Sequence, residues 1–180
     1  MSYKNIGVAG MGLLLLAVVL RTACSRDKEK QQGRATPSEV VAKVLKAAAL
    51  LEEQGEKGLA ILRDSNSEFS WKDTYVFVLD CDADSILAIP AFPELQQTKV
   101  SQRIDDKGTP YGRELCLKAA QRGGGWVAYR RPRPGESKPV RKISYIISVA
   151  GLPYQVGAGV YDDTISIAEL EEITAGLDQK

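Results

Sequence analysis

Residues 126–161 read WVAYRRPRPGESKPVRKISYIISVAGLPYQVGAGVY, and this stretch decides the fold. Trp126–Arg131, Ile143–Val149 and Tyr154–Tyr161 are each rich in β-branched and aromatic residues, the composition of half-buried or buried strands. Pro132-Arg133-Pro134-Gly135-Glu136 separates the first two, with φ fixed at two prolines, and Gly151-Leu152-Pro153 separates the second from the third. Three strands joined by turns of this kind run antiparallel. Working upstream, Tyr75-Val76-Phe77-Val78-Leu79-Asp80 and Ile86-Leu87-Ala88-Ile89 flank the turn Asp80–Ser85 and read as a hairpin that Pro90 and Pro93 end. Tyr111–Arg122 has helical character and is stopped by Gly123-Gly124-Gly125. Those glycines follow a helix and lack the Gly-x-Gly-x-x-Gly spacing of a dinucleotide loop.

A long helix precedes the strands. Thr36-Pro37-Ser38-Glu39 is a capping box with proline at the first helical position. Val41, Val44, Ala48 and Leu51 follow at helical spacing, with Val40 and Leu45 widening the stripe. The pattern predicts a helix as far as Leu62, roughly 39 Å long, weakened by Gly55 and Gly58. A short helix over Ile165–Ala175 closes the chain. The expected fold class is α+β: a long N-terminal helix packed on a five-stranded antiparallel sheet, in one domain spanning 36–180.

The N-terminal residues give a location. Met1–Gly12 carries Lys4 as its only charge, Leu13–Leu20 is unbroken and apolar, and Arg21-Thr22-Ala23-Cys24 closes the run. That is the pattern of an export signal, and the apolar run is shorter than the ~20 residues of a bilayer span. Ala23-Cys24 resembles the end of a lipoprotein signal, so residues 1–24 are expected to be a signal with Cys24 lipidated. Ordinary cleavage or an uncleaved anchor are the alternatives, and Arg21 stands where that motif usually has an aliphatic residue. All three put the domain on the periplasmic side of a membrane. Ser25 after the cysteine favours an outer-membrane destination. Residues 25–35 are charged and aperiodic and read as a tether.

Composition removes several functions. The chain has 24 Lys and Arg against 23 Asp and Glu, and leaving out the signal removes Lys4 and Arg21, so no basic excess exists for nucleic acid. There is no histidine, which excludes Ser-His-Asp and Cys-His catalysis and His-ligated metal or haem. No cofactor and no metal are expected. Asp80-x-Asp82-x-Asp84 opens like a calcium loop, but Ser85 and Ala91 stand where that loop needs its Gly and bidentate Glu. Cys81 and Cys116 are expected as separate buried thiols, with a disulfide the alternative that export permits.

The strings Tyr75–Asp80, Leu87-Ala88-Ile89-Pro90 and Pro93-Glu94-Leu95 resemble the first half of a single Cache domain. Gly125-Trp126-Val127-Ala128-Tyr129, the Arg-Pro turn, Lys142-Ile143-Ser144-Tyr145 and Gly157–Tyr161 resemble its second half. The resemblance runs from about Val40 to Asp163. It implies a PAS-like extracytoplasmic sensor module that binds a small ligand, often a carboxylate or an amine. Such modules usually sit between two transmembrane helices. This sequence shows one apolar N-terminal segment before Lys180, so direct signalling across the membrane is not expected of it. Ile89 stands where the family often has His, and Arg131 where it commonly has an aromatic residue, and both changes bear on ligand preference.

Period-two alternation puts Val127, Tyr129 and Arg131 on one face and Ile143, Tyr145 and Ile147 on one face of the next strand. If Tyr129 and Tyr145 share a face, two phenols and a guanidinium converge, a set suited to a carboxylate. Trp71 and Tyr75 are candidates for an aromatic wall, and Tyr111 and Lys142 for the edge. The competing reading makes the tyrosines core residues and Arg131 solvated. The expected function is a membrane-anchored module, not an enzyme, that binds a small carboxylate and passes that state to an envelope or signalling protein. A homodimer through the N-terminal helix is a further expectation. The alternative is a ligand-free envelope lipoprotein that binds a partner through the same helix.

Overall fold

The computed structural model describes residues 33–175; the expected export signal of residues 1–24, with Cys24, and most of the expected tether lie outside them. Helix α1, Pro37–Gln54, begins as the sequence requires. The Thr36 hydroxyl accepts from the Glu39 N–H at 3.3 Å, and the Glu39 carboxylate accepts from the Thr36 N–H at 2.9 Å. Thr36→Ala is expected to lower the thermal midpoint through a loss of about 1 kcal/mol, with a two-state transition retained. The expected single helix to Leu62 is broken. Gly55 takes φ +52°, and α2 restarts at Glu56–Arg63. Gly58 lets α2 fold back on α1, since a Cβ there would meet the Leu50 carbonyl oxygen at 2.9 Å.

A small hairpin, β1 (Ser70–Trp71) and β2 (Thr74–Tyr75), precedes the main sheet. Then come β3 (Phe77–Asp80), β4 (Ser85–Ala88), helix α3 (Tyr111–Ala119), β5 (Gly125–Arg131), β6 (Val140–Ser148), β7 (Tyr154–Val160) and helix α4 (Ile167–Thr174). The five-stranded sheet has the order β4-β3-β7-β6-β5 and every neighbouring pair is antiparallel. The expected α+β architecture is therefore the observed one. The Asp-rich turn between β3 and β4 is held by its own side chains. Asp80 accepts from the Ala83 N–H at 2.8 Å, and Asp84 accepts from the Ser101 N–H and hydroxyl, both at 2.7 Å.

Strand alternation divides the interior into two cores. Val78, Trp126, Ile143, Tyr145, Val156 and Ala158 face α1 and α2, with Leu170 of α4 in the same cluster. Phe77, Leu79, Val127, Tyr129 and Ile146 face Tyr111 and Leu115 of α3 and the segment before it. On the second face β7 presents Gly157 and Gly159. A Cβ at Gly157 would lie 2.6 Å from the Phe77 ring, and one at Gly159 would lie 2.4 Å from the Ser144 hydroxyl and 2.9 Å from the Lys142 stem. These two glycines leave the space that the large side chains of the second face occupy.

Cys81, just after β3, and Cys116 of α3 form a disulfide, with Cα atoms 5.8 Å apart. The expectation of two separate thiols is overturned. The fold brings the β3–β4 turn against α3 within bonding range, a proximity between residues 35 apart that composition does not carry.

Candidate functional site

The second core contains a cavity roofed by α3. Tyr75, Phe77, Leu79, Ile86 and Ile89 line it from the first strands, Val100 and Arg103 from the connecting segment, Tyr111, Gly112 and Leu115 from α3, and Tyr129 and Arg131 from β5. The roof is close because Gly112 packs on the backbone. Its N–H donates to the Arg103 carbonyl at 3.1 Å, and a Cβ there would meet the Val100 carbonyl oxygen at 2.0 Å. The space open to the centre of a water-sized sphere is about 30 Å³, room for about two waters.

Arg131, at the end of β5, is 8% exposed. Its Nη1 donates to the Tyr111 hydroxyl at 2.9 Å, and its guanidinium lies 4.3 Å from the centroid of Phe92. Tyr111 in turn stacks on Tyr129 with centroids 4.3 Å apart and planes 6° from parallel. The Tyr129 hydroxyl shares a 2.9 Å hydrogen bond with that of Ser144. Burial pushes the Tyr75 phenol up, against the lowering pull of the Arg131 charge beside it, and burial pushes Tyr129 up as well. Both phenols therefore stay neutral and can donate.

The electrostatics are one-sided. The Nε atoms of Arg131 and Arg103 are buried with no hydrogen-bond partner, and neither side chain is in an ion pair among the described residues. No Asp or Glu lines the cavity. A buried guanidinium without a counterion carries a desolvation cost of several kcal/mol, which a stacked ring offsets only in part. The arrangement supplies a cation fork, neutral phenol donors and an apolar floor, the set that holds a small anion with an apolar body. Tyr111→Phe would leave Arg131 Nη1 without its acceptor. It is expected to cost about 1–3 kcal/mol in thermal unfolding.

Of the five residues singled out in the sequence, Tyr75, Tyr129 and Arg131 line the cavity, together with Tyr111 from its expected edge. Tyr145 and Trp71 do not. The β5–β6 register pairs Tyr129 with Lys142 and Tyr145 with Trp126, so Tyr129 and Tyr145 lie on opposite faces of the sheet. Tyr145 sits in the first core and donates its hydroxyl to the Gly123 carbonyl at 2.7 Å. Trp71 packs against that same core, with Lys43 Nζ 5.9 Å from its ring centroid. Lys142 is fully buried behind Tyr75, its Nζ 4.1 Å from that ring's centroid. Arg103, Leu115 and Phe92 were not anticipated. Leu115 follows from the helical pattern of α3, whereas Arg103 and Phe92 lie in an irregular segment with no period to read.

Residues 59–166 match the model of a family described as Cache domain. Over 93 residues, 52% of this chain, the sequence is 36% identical to the methyl-accepting chemotaxis protein McpP of Pseudomonas putida, and the match spans 17% of that protein. Three solved structures share the fold. A methyl-accepting chemotaxis protein from Vibrio parahaemolyticus is 18% identical with a TM-score of 0.57, over 82% of this chain and 95% of that one. A periplasmic sensor domain of a chemotaxis protein is 24% identical with a TM-score of 0.55, over 82% and 99%. A Cache chemosensory domain described by its carboxylic acid recognition is 24% identical with a TM-score of 0.56, over 82% and 99%.

Proposed function

The chain belongs to the Cache domain family, and on that premise we propose that it is an extracytoplasmic module that captures a small carboxylate and passes the bound state to a signalling or envelope partner. One observation carries the ligand class: the buried Arg131 guanidinium, with its free Nε, faces a cavity that no acidic side chain lines. A related fold recognises carboxylic acids, and a relative in sequence is a chemotaxis receptor, which supports the same reading. The small cavity argues for a short acid, with its carboxylate on Arg131 and its carbon chain toward Leu79, Ile86 and Ile89. The role is binding, not catalysis. In this reading residues 1–24 export and anchor the chain, with lipid on Cys24, residues 25–35 form the tether, and 36–180 is the sensor domain. Exposed Ala42, Leu45 and Ala49 share one side of α1 and support a contact with a second copy there.

Thermal unfolding of the full chain against short carboxylates, amino acids and amines tests the proposal. A ligand that prefers the folded state raises the midpoint with concentration, by about 2.7 kcal/mol of stability at a hundred times its dissociation constant. A rise with a carboxylate is the expected result. A flat response to every carboxylate would sink the sensor reading and favour the ligand-free scaffold.

A further inference from the structure

Lys142 is not accounted for by the cavity. It is 0% exposed, and its Nζ has no hydrogen-bond partner among the described residues. Three rings surround the amine: Tyr75 at 4.1 Å, Tyr161 at 5.1 Å and Phe77 at 5.7 Å from their centroids. Gly159 of β7 is required for this placement, because any side chain there would strike the Lys142 stem. Its cross-strand partner on β5 is Tyr129, and Arg131 lies two residues further along that strand on the same face. Tyr75 both covers the amine and lines the cavity, so one ring separates Lys142 from the anion site.

The charged and titratable groups around the amine are few. Tyr75, Tyr129 and Tyr161 are phenols that burial keeps neutral. Arg131 is a fixed positive charge. Asp73 is the one carboxylate that acts on Lys142. It is already engaged by Arg133 at 3.8 Å and by the Ala35 N–H at 2.9 Å. Burial, and then the repulsion of Arg131, hold the amine well below its ordinary range, with Asp73 pulling weakly the other way. An anion on Arg131 offsets that repulsion and places a negative charge on the far side of the Tyr75 ring from the ammonium. The aromatic cage then stabilises the charged form without water.

From this geometry we propose that capture of a carboxylate beside Arg131 is accompanied by uptake of one proton from solvent onto the Lys142 amine. The ligand stays an anion, and the buried site gains no net charge. The proposal rests on the carboxylate reading of the cavity. Its sign follows from linkage. The bound state holds the proton more tightly than the free state, so affinity weakens as pH rises between the two values, by up to about tenfold per pH unit. Below that window Lys142 is protonated in both states and affinity is flat.

Titration calorimetry of the full chain with acetate and propionate, at a series of pH values from about 6 to about 10 in buffers of different ionisation enthalpy, reads the proton directly. The expected result is a buffer-dependent heat that passes through a maximum of up to one proton taken up per ligand within that range. Lys142→Arg, which keeps its charge at every pH, is expected to bind with no uptake and a pH-independent Kd. Lys142→Met should also abolish the uptake and serves where the larger guanidinium disturbs the cage. Heats independent of buffer in the wild-type chain, or uptake that persists in both variants, would overturn the proposal. If neither acid binds, the carboxylate reading fails separately. The Lys142 ε-carbon resonance of the free chain then decides: titration near the ordinary lysine value of about 10.4 refutes the neutral amine, and titration well below it supports it.

Discussion

Arg131→Ala is expected to weaken carboxylate binding by about 100-fold or more while leaving the ligand-free fold intact. Hydrogen bonds to a charged group contribute about 1.5–3 kcal/mol each, and a guanidinium grips a carboxylate with two. Losing both corresponds to a factor of about a hundred to about twenty thousand. The cost to the free protein is smaller for a physical reason. Arg131 stacks on Phe92 and holds the Tyr111 hydroxyl, but it is buried without a carboxylate partner. Removing it also removes a desolvation penalty, so the free-state midpoint should stay within about 1 kcal/mol of wild type. Arg131→Lys retains charge but not the planar fork and should fall between the two. Calorimetry and thermal unfolding on the same preparations check both halves. An unchanged affinity would remove Arg131 from the site.

The second large effect is on stability. Replacing Cys81 and Cys116 together by alanine, or reducing the bridge, should cost about 4 kcal/mol, the loop entropy of a closure of this length. For a domain of this size that lowers the thermal midpoint by roughly 8–16 °C. The loss should also reach the ligand site, because the bridged helix α3 carries Tyr111 and Leu115 of the cavity roof. Scanning calorimetry with and without reductant, with the double alanine variant as reference, measures this. Identical midpoints would show that the bridge does not form in solution.

The architecture was legible because β5, β6 and β7 carry unambiguous strand composition and turn residues, and because the Thr36 box marks a helix start that local hydrogen bonds alone determine. The site was legible only in part. Tyr75, Tyr129 and Arg131 announce themselves by type and alternation, but their neighbours depend on register. Arg131 opposes Val140 across the Pro132–Pro139 connection, and that parity sends Tyr145 to the face covered by α1 and α2. A shift of one residue would have reversed the outcome, and nothing in the turn residues fixes it in advance. The β1–β2 hairpin is two residues per strand, too short to show a period. The break at Gly55 reflects a sharp φ +52° turn that lets α2 fold back, a tertiary demand that helix propensity alone underweights. Arg103 and the Cys81–Cys116 bridge are products of chain folding over long separations.

The docking of α1 on the sheet also sets an order of events. Its apolar stripe, Val40, Val41, Val44, Ala47, Ala48 and Leu51, shares its core with Val156, Ala158 and Val160 of β7, and Glu56 of α2 meets the Tyr154 hydroxyl across 98 residues of chain. During synthesis α1 must wait for β7, the last described strand, before it can bury that stripe. β3, too, lacks its inner neighbour until β7 arrives. Such pairings of distant segments slow the search for the native state relative to a helical bundle of equal length. A chain stalled or truncated before Tyr154 would therefore expose a continuous sticky helix face and an unpaired strand edge. This domain should be most prone to aggregation until β7 has emerged.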